Sequence, residues 1–448
     1  MLVNPANTSL YREGAAANDV PWSGLASRDQ SFQTSECLEG ADPREVTPGE
    51  PGSSIAREAG STEMAPEVSV VMPCLNEADT LATCIRKARS AMALAGIRGE
   101  IVVADNGSTD ASIEIAHREG ARVVVVPERG YGAALLGGIH AAKGRFIIMG
   151  DADDSYDFQE VPTFVRRLRE GYDLVQGCRL ASGGGRVLPG AMPLLHRWLG
   201  NPMFSALARR WFRAPVNDIY CGMRGFTRDL VVQLDQRRTG MEFATEMVIR
   251  ASLLNARIAE VPITLHPDGR RTHPPHLRTF RDGWRTLRFF LWYSPRQLFL
   301  TPGIALIVLG LLGYAVAMPG ATIHGVTFDA HTLLFASLAI ISGYQSAFFA
   351  LFAKTFAITE GLLPTDPRLD RFRRVVTLER GLLIGALVVL AGLAMLILAV
   401  NQWRTHNFGR LDYAETMRLV VPGVTLFALG FQTVLGCFFL SLLDLRRR

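Results

Sequence analysis

Apolar positions change their period along the 448-residue chain, and the changes divide it into four stretches. Residues 1–66 are rich in Gly, Ser, Pro, Glu and Ala and hold no sustained apolar period. Such a stretch cannot bury enough surface to offset chain entropy, so a disordered tail is expected. It has no apolar run of the signal-peptide kind, so export of the next domain is not expected. From Val68 short β-branched runs alternate with helix-period segments, the texture of an α/β sheet with crossover helices, assigned to 67–276. Strands are predicted at Val68 to Met72, Glu100 to Ala104, Arg122 to Val126, Phe146 to Met149 and Leu174 to Gln176. Leu81, Ile85, Ala88 and Met92 recur at helical spacing and predict a helix packed on that sheet.

Two later segments, Arg186 to Arg213 and Leu277 to Ser294, are too charged to span a bilayer and too apolar to sit freely in water. In the second, Phe280, Trp284, Leu287 and Leu291 share one helix face, with Arg281, Arg285 and Arg288 mostly opposite. Helices of this kind lie in the headgroup plane, and 277–297 is assigned as a juxtamembrane amphipathic helix. From residue 298 to the end come four runs of about 20 apolar residues, each enough to cross a hydrocarbon core of about 30 Å. They centre on Leu298 to Met318, Leu333 to Phe356, Leu382 to Val400 and Leu419 to Leu442.

The flanks give an orientation, because short loops rich in Lys and Arg stay cytoplasmic. Arg278, Arg281, Arg285, Arg288 and Arg296 precede the first run, and Lys354, Arg368, Arg371, Arg373, Arg374 and Arg380 separate the second from the third. Arg446, Arg447 and Arg448 end the chain, whereas Pro319 to His331 carries no Lys or Arg. Arg404 and Arg410 in the third connection blur this pattern without reversing it. A multi-pass protein of the inner membrane is expected, with both termini and the α/β domain cytoplasmic.

Charge refines the picture little. The net charge is +5 and the arginines cluster beside the apolar runs, which reads as contact with membrane lipid rather than nucleic acid. The six cysteines show no pairwise metal spacing and fit reduced cytosolic thiols.

Polar clusters follow successive strand ends, where open α/β sheets bind ligands. Pro73-Cys74-Leu75-Asn76-Glu77 closes the first strand and offers hydrogen bonds to a base or ribose, or a plain helix cap. Asp105-Asn106-Gly107-Ser108 closes the second; Asp105 and Asn106 can meet a nucleobase, while a tight strand-to-helix turn has the same composition. Asp151-Ala152-Asp153 closes the apolar strand from Phe146 and gives a hard-oxygen pair suited to Mg²⁺ or Mn²⁺ on a diphosphate.

In this order and spacing the motifs resemble glycosyltransferase family 2 with a GT-A fold, specifically its dolichyl-phosphate mannosyltransferase and polyprenyl-phosphate glucosyltransferase group. The resemblance covers about Val68 to Leu300. It implies a GT-A nucleotide-sugar-binding domain, a Rossmann-like mixed sheet, followed by interfacial helices and four transmembrane α-helices. Pro73, Leu75, Asn76 and Glu77 match the family's nucleotide loop; Asp105 to Ser108 match its Asp-Asp-Gly-Ser turn with Asn106 in place of the second aspartate. Asp151, Ala152 and Asp153 match its metal motif, with Ser155 where a ligand such as Gln usually stands. Gly177-Cys178-Arg179 looks like a Gly-x-Arg whose arginine contacts phosphate, and Asp218 to Arg224 resembles an acceptor-side stretch ending in Arg. Phe243 to Met247, with Glu246, resembles a Phe-x-x-Glu-Met helix; Arg270, Arg271 and Arg278 stand in for a basic acceptor loop.

The resemblance implies a hexose transferred from a nucleotide diphosphate-sugar, UDP-glucose or GDP-mannose, to a polyprenyl phosphate, by a metal-dependent inverting displacement. Asp153, Arg179 and Arg224 are its expected catalytic residues, and a homo-oligomer is compatible with it. A polysaccharide synthase, another lipid glycosyltransferase and a non-enzymatic transporter or flippase with a nucleotide-sugar-sensing domain are the competing readings. Leu207-Ala208-Arg209-Arg210-Trp211 lacks the Gln of the Gln-x-x-Arg-Trp polymerase type.

Overall fold

The computed structural model describes residues 65–236, 238–270 and 279–444; Arg271 and Arg278 lie outside them, as does the expected disordered tail. The strands are β1 Val68–Cys74, β2 Gly99–Asp105, β3 Arg122–Val125, β4 Phe146–Met149, β5 Leu174–Cys178, β6 Arg186–Val187, β7 Arg224–Thr227, β8 Ile258–Pro262 and β9 Thr264–Leu265. The helices between them are α1 Leu81–Leu94, α2 Ser112–Arg118, α3 Tyr131–Ala141, α4 Val161–Arg169, α5 Asn201–Phe212, α6 Arg228–Leu234 and α7 Glu242–Leu253.

Seven strands form one sheet in the order β3-β2-β1-β4-β7-β5-β8. β1 pairs in parallel with β2 and β4, whereas β7 runs antiparallel between β4 and β5. The central strands are apolar without alternation because both sheet faces are covered. Val70, Met72, Ile148 and Val175 face one core with Leu81, Ile85 and Phe164; Val71, Ile147 and Leu174 face the other with Leu135, Phe226 and Phe243. The expected α1 face is the buried one: Leu81, Ile85, Ala88 and Met92 all lie in the core. Full burial of side chains such as Leu81 and Ile85 contributes about 2 kcal/mol each.

The first expected interfacial segment differs from a single helix. It opens as β6, then turns through a short wide helix at His196–Gly200 before α5. Around that turn Leu194, Leu195, Trp198, Leu199 and Met203 are exposed, a cluster of large apolar side chains of the kind that marks an interaction site. Helix α8, Thr279–Tyr293, follows. Its Phe289, Phe290 and Tyr293 are buried, packed with Phe204 and Phe212 in the second core. Trp284 and Trp292 are exposed, so α8 docks one side on the domain and turns these two rings outward.

Beyond it lie α9 Thr301–Ala317, β10 Thr322–Ile323, β11 Val326–Thr327, α10 Ala330–Thr359, α11 Pro367–Val375, α12 Leu378–Thr405 and α13 Tyr413–Asp444. Four helical stretches, Arg296–Ala317, Ala330–Thr359, Leu378–Thr405 and Tyr413–Asp444, are long and apolar enough to cross a membrane. The last three overrun their expected cores at both ends, because flanking turns continue the helix, whereas the first stops at Ala317. Small residues bring helix backbones together where no hydrophobic effect operates. A Cβ on Gly392 would lie 2.7 Å from the Gly423 carbonyl, and one on Gly430 2.7 Å from that of Gly385. Tyr314 meets Ser337 and Thr425 at 2.6 and 3.0 Å, tying α9, α10 and α13 together.

Candidate active site

Strand β4 ends at Met149, and after Gly150 the chain turns sharply through Asp151-Ala152-Asp153. The Ala152 carbonyl accepts hydrogen bonds from Thr80 Oγ1 at 2.7 Å and Cys84 Sγ at 3.5 Å, so α1 fixes the turn. Asp154 takes φ +59°, and Lys87 holds its carboxylate at 2.8 Å. Asp151 Oδ1 accepts from the Tyr131 hydroxyl at 2.9 Å; Asp153 Oδ1 accepts from Ser155 Oγ at 2.6 Å and Ser155 N–H at 3.1 Å. Burial, and then the Asp153 charge, push the Asp151 carboxyl up to about 7.

A guanidinium sits at this acidic pair. Arg270 Nη2 lies 3.5 Å from Asp153 Oδ2 and 2.6 Å from Glu77 Oε1, and its Nη1 is 3.1 Å from Asp268. Burial opposes the Arg270 charge, but these three carboxylates hold its pKa above the ordinary arginine value. Two crowded carboxylates that draw in a cation are a donor set suited to Mg²⁺ or Mn²⁺. Among the described residues no group of three His, Cys, Asp or Glu forms a metal cluster. Diphosphate oxygens and water would complete the sphere, as is usual for Mg²⁺.

The loops expected to read the nucleotide are built on each other. Pro73 lies within β1, and Leu75 is exposed at its end. Asn76 adopts φ +60°, accepts from Thr109 N–H at 2.8 Å and donates its own N–H to Ser108 Oγ at 3.0 Å. Asp105 accepts from Gly107 and Ser108 N–H groups at 3.0 and 3.2 Å. Asn106 donates to the carbonyls of Val126 and Glu128 at 3.0 and 2.7 Å and accepts from Gly130 N–H at 2.8 Å. These bonds tie the polar atoms of Asp105 and Asn106 to the turn. Glu77 is spent on Arg270.

The expected acceptor-side arginines Arg179 and Arg224 are both buried. Arg224 is 0% exposed and donates to the carbonyls of Ala244, Cys221 (2.6 Å) and Ile219 (3.5 Å). Burial lowers its pKa, and its Nε has no hydrogen-bond partner among the described residues. Arg179 is 8% exposed and grips Asp218 through Nε at 2.7 Å and Nη2 at 2.9 Å. Gln176 Nε2 donates to the carbonyls of Asp218 and Cys221 at 3.0 and 3.1 Å, and Glu260 accepts from Asn217 N–H at 2.5 Å and Asp218 N–H at 3.0 Å. The loop from Asn217 to Met223 is thus pinned from beneath. Its Gly222 lies against the site: a Cβ there would be 2.8 Å from Asp151 Oδ2. Glu246, on α7, is 2% exposed and accepts from Tyr293 of α8 at 2.7 Å, so it joins the domain to the membrane-proximal helix. Tyr131, Tyr156 and Glu260 were not anticipated; the Gly-Tyr-Gly step at Gly130 to Gly132 was the available signal for the first.

A sheet with ligand-ready strand ends, an acid pair after its central strand and an apolar four-helix block describes a membrane-bound sugar transferase. The chain matches glycosyl transferase family 2 over residues 69–234 and the glycosyltransferase family 2 C-terminal transmembrane region over residues 351–444. A low-salt glycan biosynthesis hexosyltransferase of Haloferax volcanii is 38% identical over 384 residues, covering 86% of this chain and 90% of that protein. A dolichyl-phosphate hexose transferase of the same organism is 36% identical over 167 residues, 37% of this chain and 69% of the relative. Among solved structures, glucosyl-3-phosphoglycerate synthase from Mycobacterium tuberculosis with Mn²⁺, uridine diphosphate and glucosyl-3-phosphoglycerate aligns at TM-score 0.40 and 26% identity, covering 55% of this chain and 85% of that one. The chain belongs to glycosyltransferase family 2. It is a multi-pass membrane glycosyltransferase with a GT-A domain ahead of its transmembrane helices.

Proposed function

We propose that the protein transfers a hexose from a nucleotide diphosphate-sugar, UDP-glucose or GDP-mannose, to a polyprenyl phosphate at the cytoplasmic face of the inner membrane. The observation that carries this reading is the acid pair Asp151 and Asp153 at the end of β4, in a domain joined through α8 to four membrane-length helices. The hexosyltransferase and dolichyl-phosphate hexose transferase named above support the class of substrate.

Asp151 and Asp153 would hold Mg²⁺ or Mn²⁺, which supplies charge neutralisation for the departing nucleoside diphosphate. Leu75 and the turn beside Gly107 form the exposed rim left for the nucleoside, with Asn76, Asp105 and Asn106 keeping that rim in shape. The acceptor phosphate is anionic at neutral pH, so its oxygen attacks the anomeric carbon without a dedicated general base. One carbon–oxygen bond forms as that to the diphosphate breaks, with inversion. Arg270 is the described cation placed to leave Glu77 and Asp153 for phosphate oxygens, and Arg271 and Arg278 extend the same basic segment. The apolar patch at Leu194, Trp198 and Leu199, with Trp284 and Trp292 of α8, rests in the headgroup region where a prenyl chain enters.

The test is transfer of label from UDP-glucose or GDP-mannose to a lipid extract by membranes holding the protein, with and without Mg²⁺ or Mn²⁺. Metal-dependent labelling of a mild-acid-labile polyprenyl phosphate is the expected result. Labelled alkali-stable glycolipid or polymer would replace the acceptor, and no incorporation from any donor would refute the reading.

A further inference from the structure

We infer that Tyr131 is a positioning residue that orients Asp151 for the divalent cation, and that Asn106 sets Tyr131 by clamping the loop before it. This rests on the reading of Asp151 and Asp153 as the metal carboxylates. The Tyr131 hydroxyl donates to Asp151 Oδ1 at 2.9 Å, which fixes the carboxylate's rotation and leaves Oδ2, beside Gly222, as the oxygen without that donor. Outer partners of this kind orient metal-binding carboxylates and tune affinity.

The tyrosine has little freedom to move. It opens α3 directly after Gly130, which adopts φ +143° and where a Cβ would strike the Thr239 carbonyl. A Cβ on Gly132 would lie 2.5 Å from the Arg238 carbonyl and 2.8 Å from that of Gly240, and Ala133 N–H donates to Thr239 at 3.1 Å. On the other side, Asn106 makes three bonds at once, donating to Val126 and Glu128 carbonyls and accepting from Gly130 N–H. Only an amide satisfies that set. A carboxylate could accept from Gly130 but would face two carbonyl oxygens with nothing to donate. The turn after β2 and the acid after β4 are thereby one mechanical unit, and asparagine at this position follows from the unit rather than from base reading.

The test is Mn²⁺ binding to the full-length protein in detergent, read by loss of the free-Mn²⁺ electron paramagnetic resonance signal, with Mn²⁺ alone and with added UDP, in the absence of turnover. Tyr131→Phe is expected to weaken Mn²⁺ binding about 10-fold, with an unchanged melting temperature, and Asn106→Asp to shift it the same way. Wild-type affinity in Tyr131→Phe, alongside lost binding in Asp153→Ala, overturns the positioning role and leaves the metal site standing. Wild-type affinity in Asp153→Ala overturns the metal reading and the inference with it.

Discussion

Two regions of the domain, a few residues apart in space at Gly222, are built from the same side-chain types and put to opposite uses. Around Asp151 and Asp153 carboxylates are crowded, one of them holds its proton up to about 7, and Arg270 lies 3.5 Å from Asp153. Beneath the loop from Asn217 to Met223, Arg179 is matched bidentately to Asp218, and the Arg224 guanidinium is spent on backbone carbonyls. Crowded carboxylates in a cleft are available for ligand chemistry; buried guanidinium groups held on Asp218 and on backbone carbonyls shape the wall, although the Arg224 Nε has no partner among the described residues. Residue type does not separate the two cases, whereas the list of partners does.

The comparison breaks most sharply on Asp153→Ala. Losing several kcal/mol of charge stabilisation predicts a fall in transfer of at least about 10³-fold, with melting in detergent unchanged. Asp218→Ala is expected to act on the fold instead, destabilising by about 3 kcal/mol because Arg179 is left buried without its partner; melting of the purified variant checks it. Gly222→Ala sits on the boundary. Its new methyl meets Asp151 Oδ2 at 2.8 Å and the Tyr156 ring at 3.1 Å, so stability should drop by about 1–2 kcal/mol and activity should fall more than stability accounts for. Arg270→Ala leaves buried Glu77 without its partner and should destabilise by about 3 kcal/mol. Its expected signature is a raised KM for the polyprenyl phosphate, in a lipid-concentration series.

The sequence made the fold legible where one physical rule dominated. The buried face of α1 and the strands β1, β2 and β4 followed from periodicity, and the four apolar helices followed from length and composition. Strand β7 was not read, because Arg224-Gly225-Phe226-Thr227 is short, charged and glycine-broken; only its place between β4 and β5 makes it a strand. The packing partners of α8 were not read, because Phe289 and Phe290 find a cleft beside Phe204 that no local pattern announces. At the site, the order of acidic clusters was visible, but not that Asn106, Asp105 and Arg224 turn their polar atoms onto backbone. Asn106 reaches Val126, Glu128 and Gly130, and Arg224 reaches Ala244, 20 or more residues away, and spacing carries no record of such partners; those of Asp105 lie within its own turn.

The most direct test of this division is to measure kcat and the melting temperature in detergent for Asp153→Ala and Arg224→Met side by side. Arg224→Met removes a donor to buried carbonyls and should destabilise by about 3 kcal/mol, while the fraction that remains folded keeps a near-normal kcat and KM for polyprenyl phosphate. Asp153→Ala should do the reverse, losing transfer while melting like the parent. A stable Arg224→Met protein with a selectively raised KM for the acceptor would contradict the account and return Arg224 to the acceptor site.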